Sequence, residues 1–133
     1  MTGTFVFINM ATENVAKARE FYSKVGFEIN ETFSSEQNVF IVLANNVQLI
    51  LGRKEFFKQL GEQREFVDPT TVTEASIAIS AHSREEVDAL FDKAIAAGGT
   101  SCGDVVEEKE IGLYAHAFYD LDGHKIDINY MPS

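Results

Sequence analysis

An internal repeat restricts this chain more than any other feature. In the first half of its 133 residues, Thr4 to Ala11 is apolar on both parities, as a strand covered on both faces is. Thr12-Glu13-Asn14 supplies side-chain oxygens for a helix N-cap, and Val15, Ala18, Phe21, Tyr22 and Val25 follow at helical spacing up to Gly26. Three strand-like runs come next: Phe27 to Phe33, Val39 to Leu43 and Val47 to Leu51, the last two joined by Ala44-Asn45-Asn46. The second half repeats this order. Ala75 to Ala81 reads as a strand, and Ser83 with Glu86 reads as a capping box. Val87, Leu90, Phe91, Ala94 and Ile95 form one apolar stripe, and Gly98-Gly99 stops the helix. Runs at Gly103 to Val106, Ile111 to Tyr119 and Lys125 to Tyr130 complete the copy.

A repeat of this kind fixes the architecture before any residue-level argument. The expected organisation is a single α+β domain over 1–133: a first βαβββ module at 4–52, a linker with a short helix at 53–73, and a second βαβββ module at 74–133. The linker helix is expected around Glu55 to Leu60, and the polar stretch from Gly61 to Thr73, with Pro69, as a connecting loop.

Composition narrows the function. Twenty-one acids against eleven Lys and Arg give a net charge of −10, which disfavours nucleic acid and anionic membrane surfaces as partners. The apolar runs are a strand long, far short of a membrane span, and the start at Met1 lacks the basic flank of a signal peptide, so a cytoplasmic location is expected. The single cysteine, Cys102, excludes an internal disulfide framework and reads as an unreactive loop thiol between Ser101 and Gly103.

Strand parity locates the candidate chemistry. Phe5, Phe7 and Asn9 share one face of the first strand, and Gln48 shares one with Ile50. In the second half Ser76, Ala78 and Ser80 go together, as do Tyr114, His116 and Phe118, and Asp127 and Asn129. The opposite parities are uniformly apolar, so helices are expected over them. The mixed faces would then form a concave surface with apolar walls and a few convergent polar groups, the usual form of a small-molecule site. His116 and Asp127 flank a hairpin and are expected to approach each other, as a general base, a ligand pair or a structural hydrogen bond. His82 and His124 are expected at the surface. Asp120-Leu121-Asp122-Gly123 lacks the other oxygen ligands and closing Glu of a calcium loop, and reads as a hairpin turn.

The segments FINMATENVAKAREFYSKVGFEIN, NNVQLILGRKEFF, SREEVDALFDKAIAAGG and FYDLDGHKIDINY together resemble the vicinal oxygen chelate superfamily of glyoxalases, bleomycin-resistance proteins and extradiol dioxygenases. The resemblance is greatest to its bacterial lactoylglutathione-lyase-like members and spans nearly the whole chain. It implies paired modules forming an open eight-stranded barrel-like sheet around a cavity, with the helices outside, and commonly a homodimer.

The resemblance also implies one metal ligand on each of four strands, at positions that fall on Phe7, Gln48, Ser76 and Asp127. Only Asp127 is a strong ligand, Gln48 is a weak neutral one, and Phe7 has none to offer. Three readings stay open. One is a small-molecule binder using Phe7, Asn9, Gln48, Ser76, Tyr114 and Phe118 without a standard metal site. Another is a lyase or ring-cleaving dioxygenase with catalytic His116 and Asp127, holding a divalent metal (Zn, Ni, Fe or Mn) through Gln48, His116 and Asp127. The third is an interaction scaffold with a vestigial cavity.

Overall fold

The structure, a computed structural model, describes residues 2–132. It divides into two compact units between Val67 and Asp68, each repeating strand, helix and antiparallel strands.

In the first unit, β1 (Val6–Ala11) leads into α1 (Val15–Val25), then β2 (Glu28–Ile29), β3 (Asn38–Ala44), β4 (Val47–Gly52) and the short α2 (Lys54–Gln59). The sheet order is β1-β4-β3-β2, with β1 parallel to β4 and the other pairs antiparallel. Both ends of α1 follow from sequence. The Asn14 side chain accepts from the Lys17 N–H at 3.0 Å. Gly26, at φ 114, takes the left-handed turn that brings its N–H to the Tyr22 and Ser23 carbonyls. Val15, Ala18, Phe21, Tyr22 and Val25 are buried on one side of this helix. Ile8, Leu49 and Ile41 are register partners across the sheet, as are Met10, Leu51 and Val39. Burying each large side chain of this layer contributes about 1.5–3 kcal/mol.

In the second unit, β5 (Ser76–Ser80) leads into α3 (Arg84–Ala96), then β6 (Thr100–Ser101), β7 (Val106–Glu108), β8 (Leu113–Tyr119) and β9 (Lys125–Tyr130). The order is β5-β9-β8-β6, with β7 also pairing β8 and β5 parallel to β9. The α+β class of paired modules is present as two open sheets of four and five strands, and no closed barrel forms among the described residues.

Three local expectations change. The run Gly103 to Val106 is not one strand. The Ser101 hydroxyl bonds to the backbone of Gly103, which sits at φ 140, and this bend separates β6 from β7. Phe27 to Phe33 contributes only the two residues of β2, because Ser34 turns back onto Asn30. The capping box is half formed: the Ser83 hydroxyl accepts from the Glu86 N–H at 3.1 Å, but the Glu86 carboxylate goes to His82.

Candidate functional site

In the first unit the mixed face lies where parity puts it. Phe7, Gln48 and Val42 are register partners, as are Asn9, Ile50 and Phe40. The aromatic groups are contiguous. Phe5 and Phe7 stack with ring centroids 5.8 Å apart, Phe7 meets Phe40 edge-on at 6.2 Å, and Phe40 meets Phe33 at 5.8 Å. Phe5, Phe7 and Phe33 are 49%, 46% and 61% exposed, a large apolar surface left in water. Gln48 lies in this setting only 8% exposed. Its Oε1 accepts from Asn30 Nδ2 at 3.2 Å, so two amides form a polar spot within an aromatic wall. Asn9 lines an adjoining hollow of about 310 Å3 with Phe57, Leu60, Gly61, Glu62 and Phe66. Gln48, Ile50, Asn9 and the phenylalanines together present flat apolar surface and amide hydrogen bonds, the elements that hold and orient a planar ligand.

The second unit corrects the parity of β8. Tyr114, His116 and Phe118 stand opposite Tyr130, Ile128 and Ile126, on the face packed by α3. Phe118 is fully buried. The His116 ring stacks on Phe91 of α3 at 3.4 Å and 12°, and its Nε2 lies 2.9 Å from the Gly103 carbonyl oxygen. The Tyr114 hydroxyl donates to Asp88 Oδ1 at 2.7 Å, a bond that raises its pKa, while the Arg84 guanidinium lies over its ring at 5.1 Å. These are contacts of a helix–sheet layer in which long side chains bury their bodies and keep polar tips at the rim.

Asp127 points the other way. It stands opposite Ala117 and Ala78, and Ser76 stands opposite Lys125. His116 and Asp127 therefore lie on opposite sides of the sheet and cannot act on one ligand or hold one ion. Asp127 Oδ1 is buried without a hydrogen bond among the described residues. On the same face Cys102 follows β6, its N–H bound to the Ala117 carbonyl. Burial pushes its thiol pKa up and the Asp127 charge adds to the rise, against a bond from Tyr119 and the charge of Lys125. That is the environment of an inert thiol.

His124 is not at the surface. Its side chain is 1% exposed, and Nδ1 lies 2.9 Å from Glu74 Oε1. His82 is exposed as expected. Asp120, also buried, accepts from the Asp122 and His124 N–H groups at 3.0 and 2.9 Å through Oδ1, which closes the β8–β9 turn. Ligand atoms of Asp120, Asp122 and His124 lie within 4.8 Å of one another, two carboxylates and an imidazole suited to a divalent ion. The signal for this group was the spacing of two residues from Asp120 to Asp122 and again to His124 across a tight turn.

The four-strand ligand set does not suit a metal: Phe7 has no lone pair, Gln48 Oε1 is engaged by Asn30, and Ser76 is not in register with Asp127.

A family model described as the Glyoxalase/Bleomycin resistance protein/Dioxygenase superfamily matches residues 4–128. Among solved structures, the chain is similar to the hypothetical protein SA1046 from S. aureus at 27% identity. That match covers 98% of this chain and 94% of the other, with a TM-score of 0.78. A glyoxalase/bleomycin resistance protein/dioxygenase family enzyme from Burkholderia phytofirmans PsJN shares the fold at 20% identity and TM-score 0.77, covering 98% of this chain and 100% of the other. The fosfomycin resistance protein FosX from Listeria monocytogenes does so at 18% identity and TM-score 0.69, covering 99% and 96%. No curated protein matches the chain. No helix among the described residues is long and apolar enough to cross a membrane.

Proposed function

This chain belongs to the Glyoxalase/Bleomycin resistance protein/Dioxygenase superfamily, and on that premise we propose that it binds a flat, apolar small molecule on the aromatic face of its first sheet, without a metal on the four-strand ligand set. The supporting observation is the contiguous cluster of exposed Phe5, Phe7 and Phe33 with half-buried Phe40, beside the Gln48–Asn30 pair. Asn9 extends the site into the adjoining hollow. Dimerisation in the cytoplasm completes the reading. The structural features that favour binding over catalysis are the opposed placement of His116 and Asp127 and the phenyl group at a ligand position. The test is saturation-transfer NMR with naphthalene, with transfer expected in the wild type and lost in Phe7→Ala. Equal transfer in both would overturn the placement, and none in the wild type would overturn the reading.

A second reading is favoured by one observation, the Asp120–Asp122–His124 group. A divalent ion (Zn, Ni, Fe or Mn) would enter there and act as a Lewis acid for a lyase or dioxygenase reaction. Metal analysis of protein purified without chelator decides it: stoichiometric metal lost in Asp122→Ala supports this reading, and metal-free protein removes it.

A further inference from the structure

Gln48 carries an unused capacity that narrows the ligand class. The residue is only 8% exposed, and its one side-chain hydrogen bond among the described residues accepts at Oε1 from Asn30. A primary amide also has two N–H donors. The two Nε2 hydrogens of Gln48 have no partner among the described residues, and Nε2 is not one of the buried atoms left unpaired, so solvent reaches it. A donor that the protein leaves unpaired yet open to solvent can exchange its water for an acceptor on a ligand and stay satisfied. Its register partners are the apolar Phe7 and Val42, and Phe7 and Phe40 of the same face meet edge-on.

We propose that Gln48 selects planar aromatic ligands bearing a neutral carbonyl oxygen, an inference resting on the binding function proposed above. The ring lies against Phe7 and Phe40, and the carbonyl accepts from Gln48 Nε2. The Asn30 bond sets which end of the amide is free, because Asn30 Nδ2 donates and so holds Oε1 toward itself. Charge decides between neutral and anionic acceptors. The chain carries ten more negative than positive charges, and Glu62 lines the hollow beside Asn9, so a carboxylate ligand would be repelled. Ketones, quinones and aromatic amides fit these demands, and hydrocarbons and aryl amines do not.

The experiment compares 1-acetonaphthone, 1-ethylnaphthalene and 1-naphthylamine by titration followed in 15N-edited NMR, on the full chain. The wild type is expected to bind the ketone about fivefold more tightly than the hydrocarbon, the worth of one net hydrogen bond. The Gln48 side-chain amide resonances should shift with the ketone and not with the hydrocarbon, a readout that needs no variant. In Gln48→Glu, which keeps an acceptor for Asn30 but has no donor, and in Gln48→Leu, the preference should fall to about one. Hydrocarbon and ketone binding equally to the wild type, a preference surviving in both variants, or the amine binding best would each overturn the role of Gln48 and leave aromatic binding standing. Failure of all three compounds to bind would overturn both.

Discussion

His116 gives the sharpest test of how the second sheet is arranged. Truncation to Ala removes a ring stacked on Phe91 and the bond from Nε2 to the Gly103 carbonyl. The stack is worth about 0.5–1.5 kcal/mol and the bond about 1 kcal/mol, and packing of the half-buried ring under α3 adds to both. The expected loss is about 2–3 kcal/mol, which for a chain of this length lowers Tm by about 8–12 °C. Asp127→Ala is the control from the opposite face. Its Oδ1 is buried with no hydrogen bond among the described residues, so removing the carboxylate should leave stability within about 1 kcal/mol of the wild type or raise it. Thermal unfolding followed by far-UV circular dichroism measures both. If the two residues instead shared a binding site, His116→Ala would cost little stability. A Tm within about 2 °C of wild type for His116→Ala, or equal losses for the two variants, would refute the assignment of faces.

Asp120→Ala should destabilise by about 2 kcal/mol in urea unfolding, with or without chelator, because Oδ1 accepts two backbone N–H groups of the turn; Asp120→Asn, which keeps that oxygen, should cost less than half as much. Gly123 sits at φ 98, where an added Cβ would lie 3.1 Å from the Pro69 backbone, so Gly123→Ala should cost about 1–3 kcal/mol, read as a lower urea midpoint at unchanged slope. Asn14→Ala removes the α1 cap and should cost about 1 kcal/mol in the same assay. The Cys102 pKa is raised by burial first and by Asp127 in addition, so the thiolate fraction at neutral pH is lower than for an exposed thiol. Alkylation by iodoacetamide should therefore be slow, rise with pH only above the usual thiol range, and speed up in Asp127→Asn, as mass spectrometry would record.

The repeat, the helix stripes and the first unit's two faces were legible because hydrophobic pattern and turn chemistry agree there. Asn14 and Gly26 bound α1, and the Val6, Ile8, Met10 parity is apolar while the Phe5, Phe7, Asn9 parity is mixed. In β8 the two signals part. Leu113, Ala115 and Ala117 look like a helix-packed face by hydropathy, and Tyr114, His116 and Phe118 look amphipathic, yet the latter pack under α3. The layer beneath a helix must be filled by volume, and at the centre of β8 Ala115 and Ala117 are too small to fill the layer where Phe91 packs. Tyr and His supply that volume while Asp88 and the Gly103 carbonyl satisfy their polar tips. Only the register with β9 carries this information, since Ile126 and Ile128 fix the buried face and Phe118 and His116 stand opposite them. His124 was opaque for a related reason. One residue past a turn, it reads as solvated, yet Glu74, fifty positions earlier, lies against its buried ring. Both misreadings put the histidines in the wrong environment, and both follow from long-range partners that neither alternation nor local spacing encodes.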